Sequence, residues 1–373
     1  MTNFIDYQNK QEEAYLAKKE WLSGVLEQEM EECLGKMDAR KISDEEYESK
    51  ILPYWSKYGI KPSKSWFEYY GSRDGVTDPR FIPDGLYYCG IVPYLNNLQF
   101  SAAVKDKSYL DITLPDALQA TTVCRRISGE FFDKDMNLID IGKAADLCMD
   151  NASVLFVKPA LYTSKGHGIK VIKRDGRTKD TVLKAFEEVG DNFIVQEAIK
   201  QHPDLASLSP NAVNTIRVVT LFVEGKVHVI GSTIRIADRS QDLISLEAGG
   251  YDTPIAPDGT LGPKVQSGHG KWLSAKEAGL YEESFKIPSF DRICKEAQRL
   301  HPRLAHFKLI GWDFSVNTDG DPVLIEINFV PGIMSQLTSC RPYFGDMTDW
   351  VLDDFFIHRT LENNQIQGLI VQY

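Results

Sequence analysis

Three oxygen-bearing side chains late in the chain form the sharpest chemical signal in this sequence. Asp313 stands in one β-branched and aromatic run, and Glu326 and Asn328 stand two residues apart in the next. A strand projects residues two apart to the same face. A turn at Thr318-Asp319-Gly320 folds the first run back onto the second, which brings Asp313 beside that face. Two carboxylates and an amide oxygen are hard donors of the kind that hold Mg²⁺ together with nucleotide phosphates. Phe314, Val316, Leu324, Ile325 and Ile327 around them are apolar, so the three groups are costly to place there unless something balances them. The plainer alternative is an exposed polar face of a hairpin.

Other residues carry related chemistry. Lys158 ends the apolar run Val154–Val157 and is followed by Pro159. A lysine closing a buried strand asks for an anion such as a phosphate, or else it snorkels to solvent. Just beyond it, Gly166 and Gly168 allow backbone N–H groups to approach phosphate oxygens. Glu197 shares a strand face with Val195 and Ile199, and reads as a ligand-binding hinge carboxylate or as a paired structural one. Arg217 and Arg235 interrupt β-branched runs on neighbouring strands. A forked guanidinium in a half-buried strand needs an anion: a transferred phosphoryl or acyl phosphate group, or a nearby carboxylate, Glu326 included. His167, His202, His269 and Asp252 lie in polar stretches that could meet a substrate. No G-x-S-x-G elbow supports Ser-His-Asp catalysis, and no His/Cys spacing supports zinc.

The elements that must position these residues follow from periodicity. Residues 1–60 predict one long helix and a shorter one begun at Ser43, with Asp44, Glu45 and Glu46 in its first turn. Residues 60–100, aromatic and punctuated by Gly and Pro, read as a linking layer. From residue 100 strands alternate with helices: strands at 154–160, 168–174 and 193–199, a helix at 179–189, and two strands over 215–237 joined at Glu224-Gly225. A helix at 290–305 precedes the carboxylate hairpin, and a helix at 346–358 follows it. Many antiparallel hairpins with helices on them make the fold class α+β. The expected division is 1–100, a helical and aromatic region; 101–200, a smaller lid; and 201–373, a larger unit carrying the metal site.

The net charge of -11 argues against a generic nucleic-acid binder, which presents a basic field. Six scattered Cys without a C-x-x-C pair suit a reducing compartment. The first twenty residues carry charges where a signal peptide needs an apolar core, and no apolar run approaches the ~20 residues that span a bilayer. The expectation is a cytoplasmic protein without membrane insertion, with the N-terminal helix as the interface of a homo-oligomer.

These motifs carry a resemblance. Asp313 and Leu324-Ile325-Glu326-Ile327-Asn328 resemble the metal-binding strands of the ATP-grasp superfamily. Val157-Lys158-Pro159, then Thr163-Ser164-Lys165-Gly166-His167-Gly168, look like its ATP-binding lysine and phosphate-covering loop. Gln196-Glu197-Ala198 looks like the hinge that holds adenine by backbone groups and ribose by a carboxylate, and Asp106-Lys107 like the earlier lysine that reaches the nucleotide. Asp106-Lys107, the stretch 127–133, Asn214-Thr215-Ile216-Arg217 and Gly249-Gly250 are closest to the sugar-transfer-associated branch, whose members accompany cell-surface polysaccharide genes. The loop has fewer glycines than many relatives, and Glu247 precedes Gly249-Gly250 where a neutral polar residue would be expected.

The resemblance implies an ATP-grasp fold with an N-terminal helical extension, ATP and Mg²⁺ as cofactors, and small-molecule carboxylate and amine substrates. The implied reaction makes an acyl phosphate and then an amide. Arg217 and Arg235 would steady charge on the transferred group. Lys107, Lys158, Ser164, Lys165, Gly166, His167, Gly168, Gln196, Glu197 and Ala198 would hold ATP, and Asp313, Glu326 and Asn328 the metal. A kinase-like transfer to a sugar or alcohol, and a noncatalytic nucleotide-binding partner in polysaccharide assembly, use the same motifs.

Overall fold

The structure, a computed structural model, describes residues 2–161, 168–238, 250–268 and 270–358. The first helix runs Thr2–Leu34. The second begins where its cap predicts: the Ser43 hydroxyl accepts from the Glu46 N–H at 3.1 Å. The helix Lys179–Val189 matches its expected limits, started by a reciprocal box between Thr178 and Thr181.

A six-stranded antiparallel sheet contains β1 (Thr122–Ile127), β2 (Glu130–Asp133), β3 (Leu138–Ile139), β4 (Leu155–Pro159), β5 (Lys170–Ile172) and β6 (Phe193–Glu197), in the order β3-β2-β1-β6-β4-β5. Chain order continues with β7 (Thr215–Val223), β8 (Lys226–Ile236), β9 (Tyr251–Pro254), β10 (Thr260–Leu261), β11 (Lys264–Ser267), β12 (Lys271–Ser274), β13 (Phe285–Lys286), β14 (Leu309–Val316) and β15 (Pro322–Asn328). A seven-stranded antiparallel sheet takes these in the order β12-β11-β9-β8-β7-β14-β15, and β10 pairs with β13 as a small ribbon. The hairpin turns sit at Glu224-Gly225 and before Pro322, as the sequence predicts, and both Glu224 and Gly225 have positive φ. The structure is therefore mixed helix and sheet with the expected N-terminal helix.

Alternation divides the large sheet into two unlike faces. Ile216, Val218, Ile234, Ile310, Trp312 and Phe314 point to one side, into a core shared with the helix Phe290–Leu300. The other face is split along its length. Val219, Leu221, Val223 and Leu309 are apolar and packed, whereas Thr215, Arg217, Arg235 and Asp313 on the same face are polar. The aromatic stretch expected to be a linking layer is instead what covers the apolar half. Trp66, Phe67, Tyr70, Phe81, Ile82 and Tyr87 are buried in one core with those strands and with the C-terminal helix Thr348–His358. Aromatic density without clear period concealed short helices such as Lys64–Tyr70 and Leu98–Val104. Asn96, fully buried, stitches this layer to the sheet: its amide donates to the Leu309 and Phe329 carbonyls at 2.7 and 2.6 Å and accepts from the Leu309 N–H at 2.9 Å.

One carboxyl in this layer is set against its surroundings. Asp84 is half-buried as a residue, but its carboxyl turns inward to accept from the Tyr70 hydroxyl. Burial pushes it up to about 7, with the Tyr70 hydrogen bond pulling back and Glu29 adding to the rise. A carboxyl raised in the folded state contributes stability below the unfolded value and loses it as pH climbs through about 7. Asp84→Asn should therefore raise the unfolding free energy read from urea melts at pH 8, by on the order of 1–3 kcal/mol, and leave the midpoint nearly unchanged at pH 4. Equal midpoint shifts at the two pH values would contradict this.

Candidate functional site

The site lies where the two sheets meet over β15. Lys107 opens the short helix Lys107–Tyr109, which Asp106 caps by accepting from the Ser108 N–H at 2.8 Å. The Lys107 backbone N–H donates to the Ala160 carbonyl at 3.2 Å, tying it to the end of β4, and its ammonium lies 3.3 Å from Glu326 Oε1 on β15. On β4, Leu155 and Val157 point into the small sheet's core while Phe156 and Lys158 point the other way. The Lys158 ammonium donates to Gln196 Oε1 on β6 at 3.1 Å. The residue is half-buried, yet its ammonium is enclosed enough that burial pushes it down to about 8, with Glu326 opposing and Lys107 reinforcing the fall. Two lysines from the small-sheet side thus converge on one carboxylate of the large sheet.

The three expected metal donors do share a face. Asp313 on β14 sits directly opposite Glu326 on β15, and Gly311 opposite Asn328. A one-residue bulge lies between Asp313 and Phe314 in this register, just where β15 must turn its carboxylate toward the cleft. On its other side Asp313 faces Arg217 of β7. The guanidinium grips both carboxylate oxygens, through Nε to Oδ1 and through Nη2 to Oδ2 at 2.7 Å. Both residues are buried. Asn328 adds a donor to Asp313 Oδ2 at 3.3 Å, which leaves its amide oxygen outside that bond.

Arg217 was expected to meet a transferred phosphoryl group. Two of its nitrogens are instead committed to Asp313, so in this arrangement it orients a carboxylate and balances its charge. Room for it comes from Gly311: a Cβ there would lie 3.2 Å from Arg217 Cδ and 2.9 Å from Pro331 Cβ. Pro331 is itself held from the N-terminal layer, since the Tyr87 hydroxyl donates to its carbonyl at 2.6 Å. The Ile333 N–H that follows donates to the Tyr88 hydroxyl at 3.2 Å. Sequence reasoning missed Gly311, Asn96 and Tyr87. A glycine inside a strand is a signal of close approach, but nothing local marks the other two.

Glu197 does not join the cluster. Residues 193, 195 and 197 alternate toward the small sheet's core side, opposite Gln196 and Lys158. Its carboxylate accepts from Asn151 Nδ2 at 2.8 Å and from Ser153 Oγ at 3.3 Å. The backbone N–H groups of Glu197 and Ala198 donate to the Thr121 and Val154 carbonyls at 2.9 and 2.8 Å. Glu197 is thus paired within the small sheet, and the backbone N–H groups of Glu197 and Ala198 are engaged with neighbouring strands. Ser164, Lys165, Gly166 and His167 lie outside the described residues, as do Glu247, Gly249 and His269. Gly168 has φ +77, and a Cβ there would meet the Pro159 ring at 3.1 Å. Arg235 faces Asp252 across β8 and β9. Asp252, expected in a polar loop, is a buried strand residue. His202 caps the helix Pro203–Leu208.

ATP with Mg²⁺ fits this cluster. Lys107 and Lys158 present ammonium groups able to offset phosphate charge, and Asp313 and Glu326 stand opposite each other as hard oxygen donors. Among the described residues no group of three His, Cys, Asp or Glu side chains could hold a metal by itself. Mg²⁺ shared between one or two carboxylates and phosphate oxygens asks for no such group.

Comparison with known proteins decides the family. The model of the sugar-transfer associated ATP-grasp family matches residues 92–342. The chain belongs to that family. The matched span runs from the last part of the N-terminal layer through β15 and the Pro331 turn, so it contains both sheets and the whole cluster. No curated protein gives a significant sequence match. Among solved structures, the ATP-grasp chain is similar to D-alanyl-alanine synthetase A from Vibrio cholerae (16% identity, 69% of this chain and 66% of that one, TM-score 0.43). It is similar to the VanG D-Ala:D-Ser ligase from Enterococcus faecalis (16% identity, 67% and 60%, TM-score 0.40). It is also similar to a biotin carboxylase complex from Campylobacter jejuni (13% identity, 68% and 46%, TM-score 0.44). It spans less than two thirds of each of those chains. No helix among its described residues is long and apolar enough to cross a membrane.

Proposed function

We propose that this ATP-grasp chain is an ATP- and Mg²⁺-dependent ligase that activates a carboxylate and joins it to an amine, in the cytoplasmic assembly of a cell-surface polysaccharide or natural product. The observation that carries the reading is the convergence of Lys107 and Lys158 on Glu326, in register beside the Arg217–Asp313 pair. In this reading residues 101–200 form the lid and 201–373 the larger unit. Residues 1–100 precede both, and their long helix joins two copies of the chain.

Bound ATP would supply a γ-phosphoryl group that a substrate carboxylate accepts, leaving ADP and an acyl phosphate, from which an amine then displaces phosphate to form the amide. The chain's own residues position and neutralise. Lys107 and Lys158 offset phosphate charge, with Gln196 orienting the Lys158 ammonium. Asp313, Glu326 and the Asn328 amide oxygen would hold the metal, and Arg217 fixes the Asp313 carboxylate in place. Arg235, one strand further out, faces the substrate side. Catalysis by such a set is positioning and charge stabilisation, with no covalent enzyme intermediate required. ADP release across a panel of carboxylate and amine pairs, with the amide identified by mass spectrometry, tests the reading. Turnover with an alcohol alone, leaving phosphate on it, would sink it.

The lowered Lys158 adds a pH signature. A lysine at about 8 is charged below that pH and neutral above it. ATP affinity should therefore fall as pH rises from 7 to 9.5, by about tenfold for the loss of one charge-assisted contact. Lys158→Arg, which stays charged, should flatten the profile. Identical profiles for the two proteins, followed by fluorescence titration, would remove Lys158 from the nucleotide contacts.

A further inference from the structure

The register of the small sheet puts an arginine on the same face as Lys158. Arg125 of β1 sits opposite Ile194 of β6, and Ile194 sits opposite Lys158 of β4. Residues paired in this way share a face, and two strand spacings set Arg125 and Lys158 roughly 10 Å apart. The other face, with Cys124, Val157 and Val195, is the small sheet's core. Arg125 is nevertheless 0% exposed, and its guanidinium is spent chiefly on residues 107–113. Nη1 donates to the Ser108 carbonyl and, at 3.0 Å, to Asp111 Oδ1. Nη2 donates to Asp111 Oδ2 at 2.8 Å and to the Lys134 carbonyl at 3.3 Å. The Thr122 hydroxyl, also on β1, donates to Asp111 Oδ2 at 2.8 Å.

The segment so held is the one that begins with Lys107. The Lys107 N–H is bound to the Ala160 carbonyl just past β4, and the following residue's carbonyl, that of Ser108, is bound to Arg125 on β1. Lys158 stands two residues before Ala160, so the same bonds relate the Lys107 ammonium to that of Lys158. From the other side of the segment, Leu110 and Leu114 are buried in the large-sheet core with Leu324 and Ile327 of β15. Apolar anchors leave the direction of a short segment loose, whereas a planar fork gripping two carboxylate oxygens and a carbonyl fixes it. Stability alone does not call for such a pair, because apolar side chains of similar volume would join β1 to the segment without burying a guanidinium. What the pair supplies is geometry. We infer that Arg125 is a positioning residue for the nucleotide site: with Asp111 it fixes residues 107–113 on the small sheet, and so sets where the Lys107 ammonium stands relative to Lys158 and Glu326. This role rests on the ligase reading only in placing ATP at the Lys107–Lys158–Glu326 cluster.

A double-mutant cycle on the MgATP affinity of the full chain, read by isothermal titration calorimetry, tests it. Arg125→Lys keeps the charge but loses the fork, and should weaken MgATP about tenfold, as expected for one misplaced charge-assisted contact. Lys107→Met should weaken it by a similar factor, and adding Arg125→Lys to Lys107→Met should cost less than about twofold more. A merely structural arginine would lower affinity equally in both backgrounds, or in neither. Arg125→Met combined with Asp111→Leu guards against loss of the fold: it should melt in urea close to the unaltered protein and still bind MgATP about tenfold more weakly. Independent effects in the cycle, or full MgATP affinity in Arg125→Lys or in the apolar pair, overturn the positioning role. Full MgATP affinity in Lys107→Met overturns it together with the placement of ATP at Lys107. Coupling in the cycle, in a chain that makes no amide from any carboxylate and amine pair, supports the positioning role and removes the ligase reading alone.

Discussion

Glu326→Gln should abolish the dependence of ATP binding on Mg²⁺ while leaving the fold intact. The Glu326 side chain is 36% exposed and meets Lys107 at 3.3 Å. An ion pair of that exposure is worth about 0–1 kcal/mol, so its loss should hardly move the melting temperature. For the ligand the balance differs. The substitution removes one of two carboxylates able to hold the metal, a charge-assisted contact worth about 1.5–3 kcal/mol or roughly ten- to a hundredfold in affinity. It also frees Lys107 for phosphate. Metal-free ATP should therefore bind at least as well as to the unaltered protein, and added Mg²⁺ should no longer tighten it. Titrations with and without Mg²⁺ give the answer, and an undiminished Mg²⁺ effect would take Glu326 out of the metal site.

Asp313→Asn should behave in the opposite way, costing the fold itself. Asp313 is 5% exposed, and both its oxygens are gripped by Arg217, which is 8% exposed. Breaking a buried pair from one side leaves an uncompensated buried charge and costs about 3–5 kcal/mol. Arg217→Met should cost a comparable amount by stranding the carboxylate. Replacing both, as Asp313→Leu with Arg217→Met, should recover much of the loss, because an apolar pair of similar volume avoids desolvation altogether. ATP turnover should stay absent in the double variant. Urea melts of the unaltered protein, Asp313→Leu, Arg217→Met and the double variant provide the cycle, and additive losses would mean that the two side chains do not act as a pair. The same crowding makes Gly311 intolerant of a side chain, since a Cβ must push aside either Arg217 or the Pro331 ring.

The contrast between Glu326 and Asp313 also marks where sequence reading reaches its limit. Alternation alone puts Glu326 and Asn328 on one face, but Asp313 comes directly opposite Glu326 only through the one-residue bulge between Asp313 and Phe314. That one is buried under an arginine and the other leans on a lysine does not follow. Arg217 lies 96 residues before Asp313 in the chain, and Lys107 reaches Glu326 from a segment tied to the end of β4. Arg217 did read as an arginine in need of an anion, with a carboxylate among the candidates. Choosing between phosphate and Asp313 required the order β8-β7-β14-β15. Glu197 shows the same limit from the other side. Its face was read correctly, with Val195, but which face looked into the cleft depended on helices Ile141–Asp150 and Lys179–Val189 covering the other side.

The residues by themselves determined the local units of this ATP-grasp chain: helices with Ser43 and Thr178 at their starts, hairpins at Glu224-Gly225 and Thr318–Gly320, and a strand face holding Glu326 and Asn328. Periods of 3.6 and 2 and the torsional freedom of turn residues act over a few positions, so they are written locally. The tertiary structure decided which charges balance which. It also made the aromatic stretch from 60 to 100 a buried layer that, through Asn96 and Tyr87, braces the site from beside it on the same sheet face. Strand order and sheet stacking are settled by burial summed over the whole chain, and no local pattern encodes that sum.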